Sequence, residues 1–127
     1  MGLMTVGAGG ISACLNAKKL QYFYAAKNGL GSSFTLNFPA GLKTDCWFVG
    51  IYWENAPKDT GINSFRIINC ESSEITTIER IQSTQYVLEF RFLAKVTGAN
   101  EKTAFYSDTL TPNDGSNYRV YGAFLWD

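Results

Sequence analysis

Residues Gln85 to Val96 alternate with a period of two: Tyr86, Leu88, Phe90 and Phe92 fall on one side, Val87, Glu89, Arg91 and Leu93 on the other. Successive side chains of a β-strand point to opposite faces, whereas a helix repeats every ~3.6 residues, so this stretch fits a strand and no helix. At about 3.3 Å per residue it would run for about 40 Å, long for one strand, which predicts a bend midway and service in two sheets.

The same period recurs along the chain. Ser33 to Phe38 sets Phe34, Leu36 and Phe38 against Thr35 and Asn37, a strand with one wet face, and Pro39-Ala40-Gly41 ends it. Cys46 to Trp53 (CWFVGIYW) is apolar on both faces, the pattern of a central strand, with Gly50 marking a bulge or a close approach. Shorter strands are expected at Asn63–Cys70, Ile75–Ile81 and Thr103–Ser107. A last one, Tyr118–Trp126, carries Tyr118, Val120, Phe124 and Trp126 on one side with a gap at Gly122. Turns fall at Thr97–Lys102 and Thr111–Asn117, and residues 55–61 form a polar exposed loop.

Residues 11–27 admit two readings. Ser12 could cap a helix stopping at Asn28-Gly29, but Lys18 and Lys19 interrupt the apolar stripe and Tyr22-Phe23-Tyr24 favours a strand. The preferred reading is two strands with a turn around Asn16 to Lys19. At least one of the three consecutive aromatic residues must then point away from the core, where something covers it.

About eight or nine strands at this spacing, with no long helical pattern, define an all-β chain. The expected architecture is an antiparallel β-sandwich, with a jelly-roll-like arrangement among its forms. With 127 residues the chain makes one domain (residues 11–127) behind a glycine-rich, flexible N-terminal arm (residues 1–10). Hydrophobic content of 46% supplies a core and argues against disorder.

Histidine is absent, which removes Ser-His-Asp and Cys-His catalysis and His-ligated zinc. Cys14, Cys46 and Cys70 form no C-x-x-C pair and read as reduced, buried thiols. Val6–Ala13 has the glycines of a dinucleotide fingerprint but Ser12 at its third position, and its first downstream acid is the distant Asp45. Asp108, Asn113 and Asp114 place oxygens in one loop, but without calcium-loop spacing they are turn residues. Residues 119–126 do not follow the order of an RNA-stacking strand. No cofactor or metal is expected.

Lys+Arg and Asp+Glu both number 11, so the chain lacks the basic excess of a nucleic-acid binder and lacks the self-repulsion that opposes association. No apolar run is long enough for a membrane span, and residues 1–10 do not form a secretory signal. Synthesis in a cytoplasm, followed by incorporation into a virion or release in a particle, fits these features.

The aromatic surplus suggests function. Trp53, Tyr118, Tyr121 and Trp126 have amphipathic rings suited to protein interfaces or to stacking on a sugar. Glu54, Glu79 and Glu89 are the acids that could form a hydrolytic pair, although Arg91 beside Glu89 reads as a surface ion pair. The leading expectation is a non-enzymatic structural protein that forms a homo-oligomer or docks on a partner protein in a larger complex, for example a virus or phage particle. The alternatives are a carbohydrate-binding module using the exposed Trp and Tyr, and a carboxylate-based hydrolase.

Overall fold

A computed structural model describes residues 16–28, 33–55, 64–84, 87–108 and 117–127. Among these residues there is no helix, and eight strands make two antiparallel sheets. The strands are β1 (Lys19–Asn28), β2 (Ser33–Asn37), β3 (Cys46–Asn55), β4 (Ser64–Ile68), β5 (Ser72–Thr84), β6 (Val87–Thr97), β7 (Ala104–Asp108) and β8 (Asn117–Trp126). One sheet runs β1-β8-β3-β6-β5 and the other β2-β7-β4. The expected all-β sandwich is therefore what the chain forms.

The pairings are nested: β1 with β8, β2 with β7, β3 with β6. Strands β4 and β5 do not continue the nesting, since β4 pairs with β7 in the smaller sheet and β5 with β6 in the larger. Strand β3 is central, as its two apolar faces required.

The two sheets enclose a core of phenylalanine. Each strand contributes alternate residues: Phe34 and Leu36 from β2, Cys46, Phe48 and Tyr52 from β3, Phe92, Ala94 and Val96 from β6, Val120 and Phe124 from β8. Phe105, fully buried on β7, sits at the centre, with ring centroids 4.9 Å from Phe38, 4.9 Å from Phe48 and 5.6 Å from Phe23. Fully burying one such side chain is worth about 1.5–3 kcal/mol, and edge-to-face packing adds to it.

A second, polar, fastening ties two turns together at one end. Asn69, in the left-handed region (φ 59°), joins β4 to β5, and its carbonyl accepts from Thr103 Oγ1 at 2.6 Å and Asn100 Nδ2 at 3.0 Å. Thr103 Oγ1 in turn accepts from the Asn100 amide at 2.8 Å, which closes the expected turn between β6 and β7.

Several expectations need correction. Strand β6 serves one sheet only, because β3 and β5 occupy its two edges from Val87 to Thr97. Strand β5 runs far beyond Ile75–Ile81: register shifts between Thr77 and Glu79 and between Gln82 and Thr84 let it follow β6 while breaking the period that would have revealed its length. The helical alternative fails over Lys19–Asn28, which pairs with β8 throughout. Residues 1–15 (with Cys14), most of the loop expected at 55–61, and most of the turn expected at Thr111–Asn117 (with Asn113 and Asp114) lie outside the described residues.

Candidate functional site

The larger sheet has two faces, and only one looks into the core. Residues directly opposite on antiparallel strands share a face, so the register assigns the outer one row by row. Tyr22, Ala123, Val49, Leu93 and Thr76 make one row across β1, β8, β3, β6 and β5. The next contains Tyr24, Tyr121, Ile51, Arg91 and Glu79, and the one after it Ala26, Arg119, Trp53, Glu89 and Ile81. Leu20, Leu125, Trp47, Lys95 and Glu74 make the row on the other side.

The β1-β8-β3 half of this face is largely apolar where solvent would favour polar groups. Tyr22 is 81% exposed, Tyr24 64%, Leu20 51% and Val49 41%. Soluble monomers rarely present contiguous apolar patches beyond a few hundred Å², and such patches mark interaction sites. In the middle lies an apolar hollow of about 330 Å³, walled by Val49, Ile51, Ile78, Arg91 and Tyr121 and floored by Gly50 and Gly122.

Charge on the face is divided between its two sides. On β8, the Arg119 guanidinium lies 4.5 Å from the centre of the Trp53 ring. Across Trp53, on β6, Glu89 accepts from Arg91 Nε at 3.0 Å, and Glu79 on β5 lies 3.6 Å from the same guanidinium. The Glu89–Arg91 surface pair expected from sequence is present. Among the described residues Arg119 thus stands alone on the β8 side, while the β6–β5 side mixes Glu74, Glu79 and Glu89 with Arg91 and Lys95.

The four aromatic candidates do not form one site. Trp53 and Tyr121 lie on the outer face, where Tyr121 packs beside Tyr24 with ring centroids 6.3 Å apart. Tyr118 is corrected: it is 3% exposed, 4.8 Å from Phe34, and offers no ring face to a ligand. Its position in the same alternation as Val120 and Phe124 points it inward, and β2 covers it. Trp126 also points to the core side, packed against the cluster and lining a cleft of about 390 Å³ with Lys19 and Lys43. Tyr22 and Tyr24, the most exposed rings among the described residues, were not among these candidates, although the three consecutive aromatics required an outward one.

The three carboxylates do not converge either. Glu54 is 2% exposed on the core side of β3, while Glu79 and Glu89 lie on the outer face against Arg91. Nearby in the interior, Tyr52 and Ser107 share a hydrogen bond at 3.3 Å, and burial, reinforced by the Glu54 charge, holds the Tyr52 hydroxyl far above the ordinary tyrosine range. Burial likewise pushes the Cys46 thiol up to about 12. Neither group is poised to exchange protons near neutral pH. Among the described residues no cluster of three or more Cys, Asp and Glu could hold a metal ion, and no helix is long and apolar enough to cross a membrane.

No family model, curated protein or solved structure matches the chain.

Proposed function

We propose that this chain is a non-enzymatic assembly protein that self-associates, or docks into a larger complex such as a virus or phage particle, through the outer face of its five-stranded sheet. The observation that carries this reading is the exposure of Tyr22, Tyr24, Leu20 and Val49 on one continuous face of a β-sandwich. Covering that face would remove the cost of hydrating it, at about 25 cal/mol per Å² of apolar surface. The neutral net charge opposes no such association. The sandwich class includes the jelly rolls common among capsid and lectin domains, which is consistent with the reading but carries it no further.

The test is the solution mass by light scattering over a range of concentrations, for the native chain and for Tyr22→Glu/Tyr24→Glu. A native oligomer that the paired substitution dissociates, with the circular dichroism spectrum unchanged, supports the proposal. A native monomer at every concentration counts against self-association.

A second reading, glycan binding, draws on the exposed Tyr24–Tyr121 pair with Trp53 in the neighbouring row. Arg119 already covers one face of Trp53, which leaves the tyrosines as the platform. Retention of the native chain, but not Tyr24→Ala, on a glycan surface would favour it.

A further inference from the structure

We infer that the occupant of the outer face is a second copy of this chain, the two related by a twofold axis running close to β3. This rests on the association reading above and gives it a geometry.

Rotation about an axis along β3 keeps each row at its own level and reverses the strand order. Strand β3 then meets β3, β8 meets β6, and β1 meets β5 of the other copy. Three features of the rows become complementary under that operation. Arg119 on β8 comes over Glu89 on β6, and by symmetry Glu89 receives the other Arg119, so two ion pairs form in one closed interface. Tyr121 comes over Arg91, a ring facing a guanidinium. Bulk meets a small side chain where Tyr22 covers Thr76, whereas in the Leu20 row Lys95 meets Leu125 and Glu74 meets Leu20. Val49 and Ile51, beside the apolar hollow, meet their own counterparts on the axis.

The other in-plane twofold axis, across the strands, makes a different set of charge contacts. Centred between the Tyr22 and Tyr24 rows, it exchanges these rows and also brings the Leu20 row over the Arg119 row. Glu89 then lies over Lys95, while Arg119 lies over Leu125 and Arg91 over Leu93, so exchanging the charges of Arg119 and Glu89 would not restore this arrangement.

The area suffices. Five strands at about 4.8 Å and ten residues at about 3.3 Å give a face of about 24 Å by 33 Å, close to the ~800 Å² per partner of a standard stable interface.

The experiment is a charge exchange, read by light scattering, with circular dichroism confirming that each variant is folded. Arg119→Glu and Glu89→Arg are made separately, then mixed, and also combined in one chain. In the inferred geometry each single variant places like charges together twice and weakens dimerisation by about tenfold or more. Mixing the two gives a heterodimer in which both pairs are again opposite in sign, so the mixture dimerises where neither variant does alone. The combined variant dimerises like the native chain, which keeps the test intact should one single variant fold poorly.

A mixture no more associated than its components overturns the geometry. If the native chain is nonetheless an oligomer that Tyr22→Glu/Tyr24→Glu dissociates, the association reading stands without it. A native chain that is monomeric at every concentration removes both.

Discussion

Gly50 and Gly122 face each other across the β3–β8 pair, with Gly122 so close that a Cβ built on it would overlap the Val49 carbonyl oxygen and lie 2.7 Å from Gly50 Cα. At Gly50 the space that a side chain would need is filled by the ring of Phe48, itself fully buried against Phe92 and Phe124. The pair lets two central strands approach closely while phenylalanines fill the interior below. The same two residues floor the hollow on the outer face.

Gly122→Ala is therefore expected to be severe. Its φ of 154° is a conformation that L side chains rarely adopt, and the overlap is with backbone that cannot swing aside. Strain and overpacking together should cost about 3 kcal/mol or more. A shift of the urea unfolding midpoint measures it, and a loss below about 1 kcal/mol would contradict the close approach.

Alkaline pH should destabilise the chain through Cys46 and Tyr52. Burial raises both pKa values in the folded state, Cys46 from 9.0 to about 12 and Tyr52 beyond its ordinary 10.0. The folded chain thus holds protons that the unfolded chain releases. Stability from this source is complete below the unfolded pKa and declines as pH rises, from about 9 for the thiol and from about 10 for the hydroxyl. The slope is about 1.4 kcal/mol per pH unit for each group. Unfolding midpoints from about pH 8 to about pH 11 should fall, and Cys46→Ala should delay the onset. A flat profile over that range would contradict both burials.

Thr103→Val tests the polar fastening between the turns. Thr103 is buried and donates to the Asn69 carbonyl while accepting from the Asn100 amide. Valine keeps the shape but leaves the Asn100 amide without its present acceptor, which should cost about 1–3 kcal/mol. Hydrogen exchange at the Asn100 amide should accelerate well beyond that of amides in β3.

The period of two made β2, β3, β6 and β8 legible, because Phe34, Phe48, Phe92 and Phe124 recur on the core side of locally regular strands. Strand β5 was legible over Ile75–Ile81 but not in its full length, since its register shifts at Glu79 and Thr84 interrupt the alternation. Tyr118 shares the inward alternation of Val120 and Phe124, and its non-local contact with Phe34 closes it off from solvent. The candidate surface was half visible. Tyr22-Phe23-Tyr24 demanded an outward ring, and Cys46–Trp53 was apolar on a second face. Joining these into one surface requires the order β1-β8-β3, which long-range pairing determines and no local pattern records.

Strand β1 offers the sharpest separation of folding from association, because neighbouring aromatic residues on it serve opposite faces. Phe23 turns inward, its ring centroid 5.4 Å from Phe124 and 6.0 Å from Phe48 in edge-to-face contacts. Phe23→Ala should cost about 3 kcal/mol of stability, as expected for emptying a packed ring site. Tyr22 and Tyr24 turn outward and are largely exposed, so Tyr22→Ser and Tyr24→Ser should change the stability of the isolated chain by no more than about 0.5 kcal/mol. If the outer face is the association surface, their effect lies elsewhere. The native unfolding midpoint should rise with protein concentration, since an oligomer gains stability by mass action, and the serine variants should abolish that dependence while leaving the dilute midpoint in place. A concentration-independent native midpoint, or tyrosine variants as unstable as Phe23→Ala, would mean that these rings support the fold of the single chain and not its assembly.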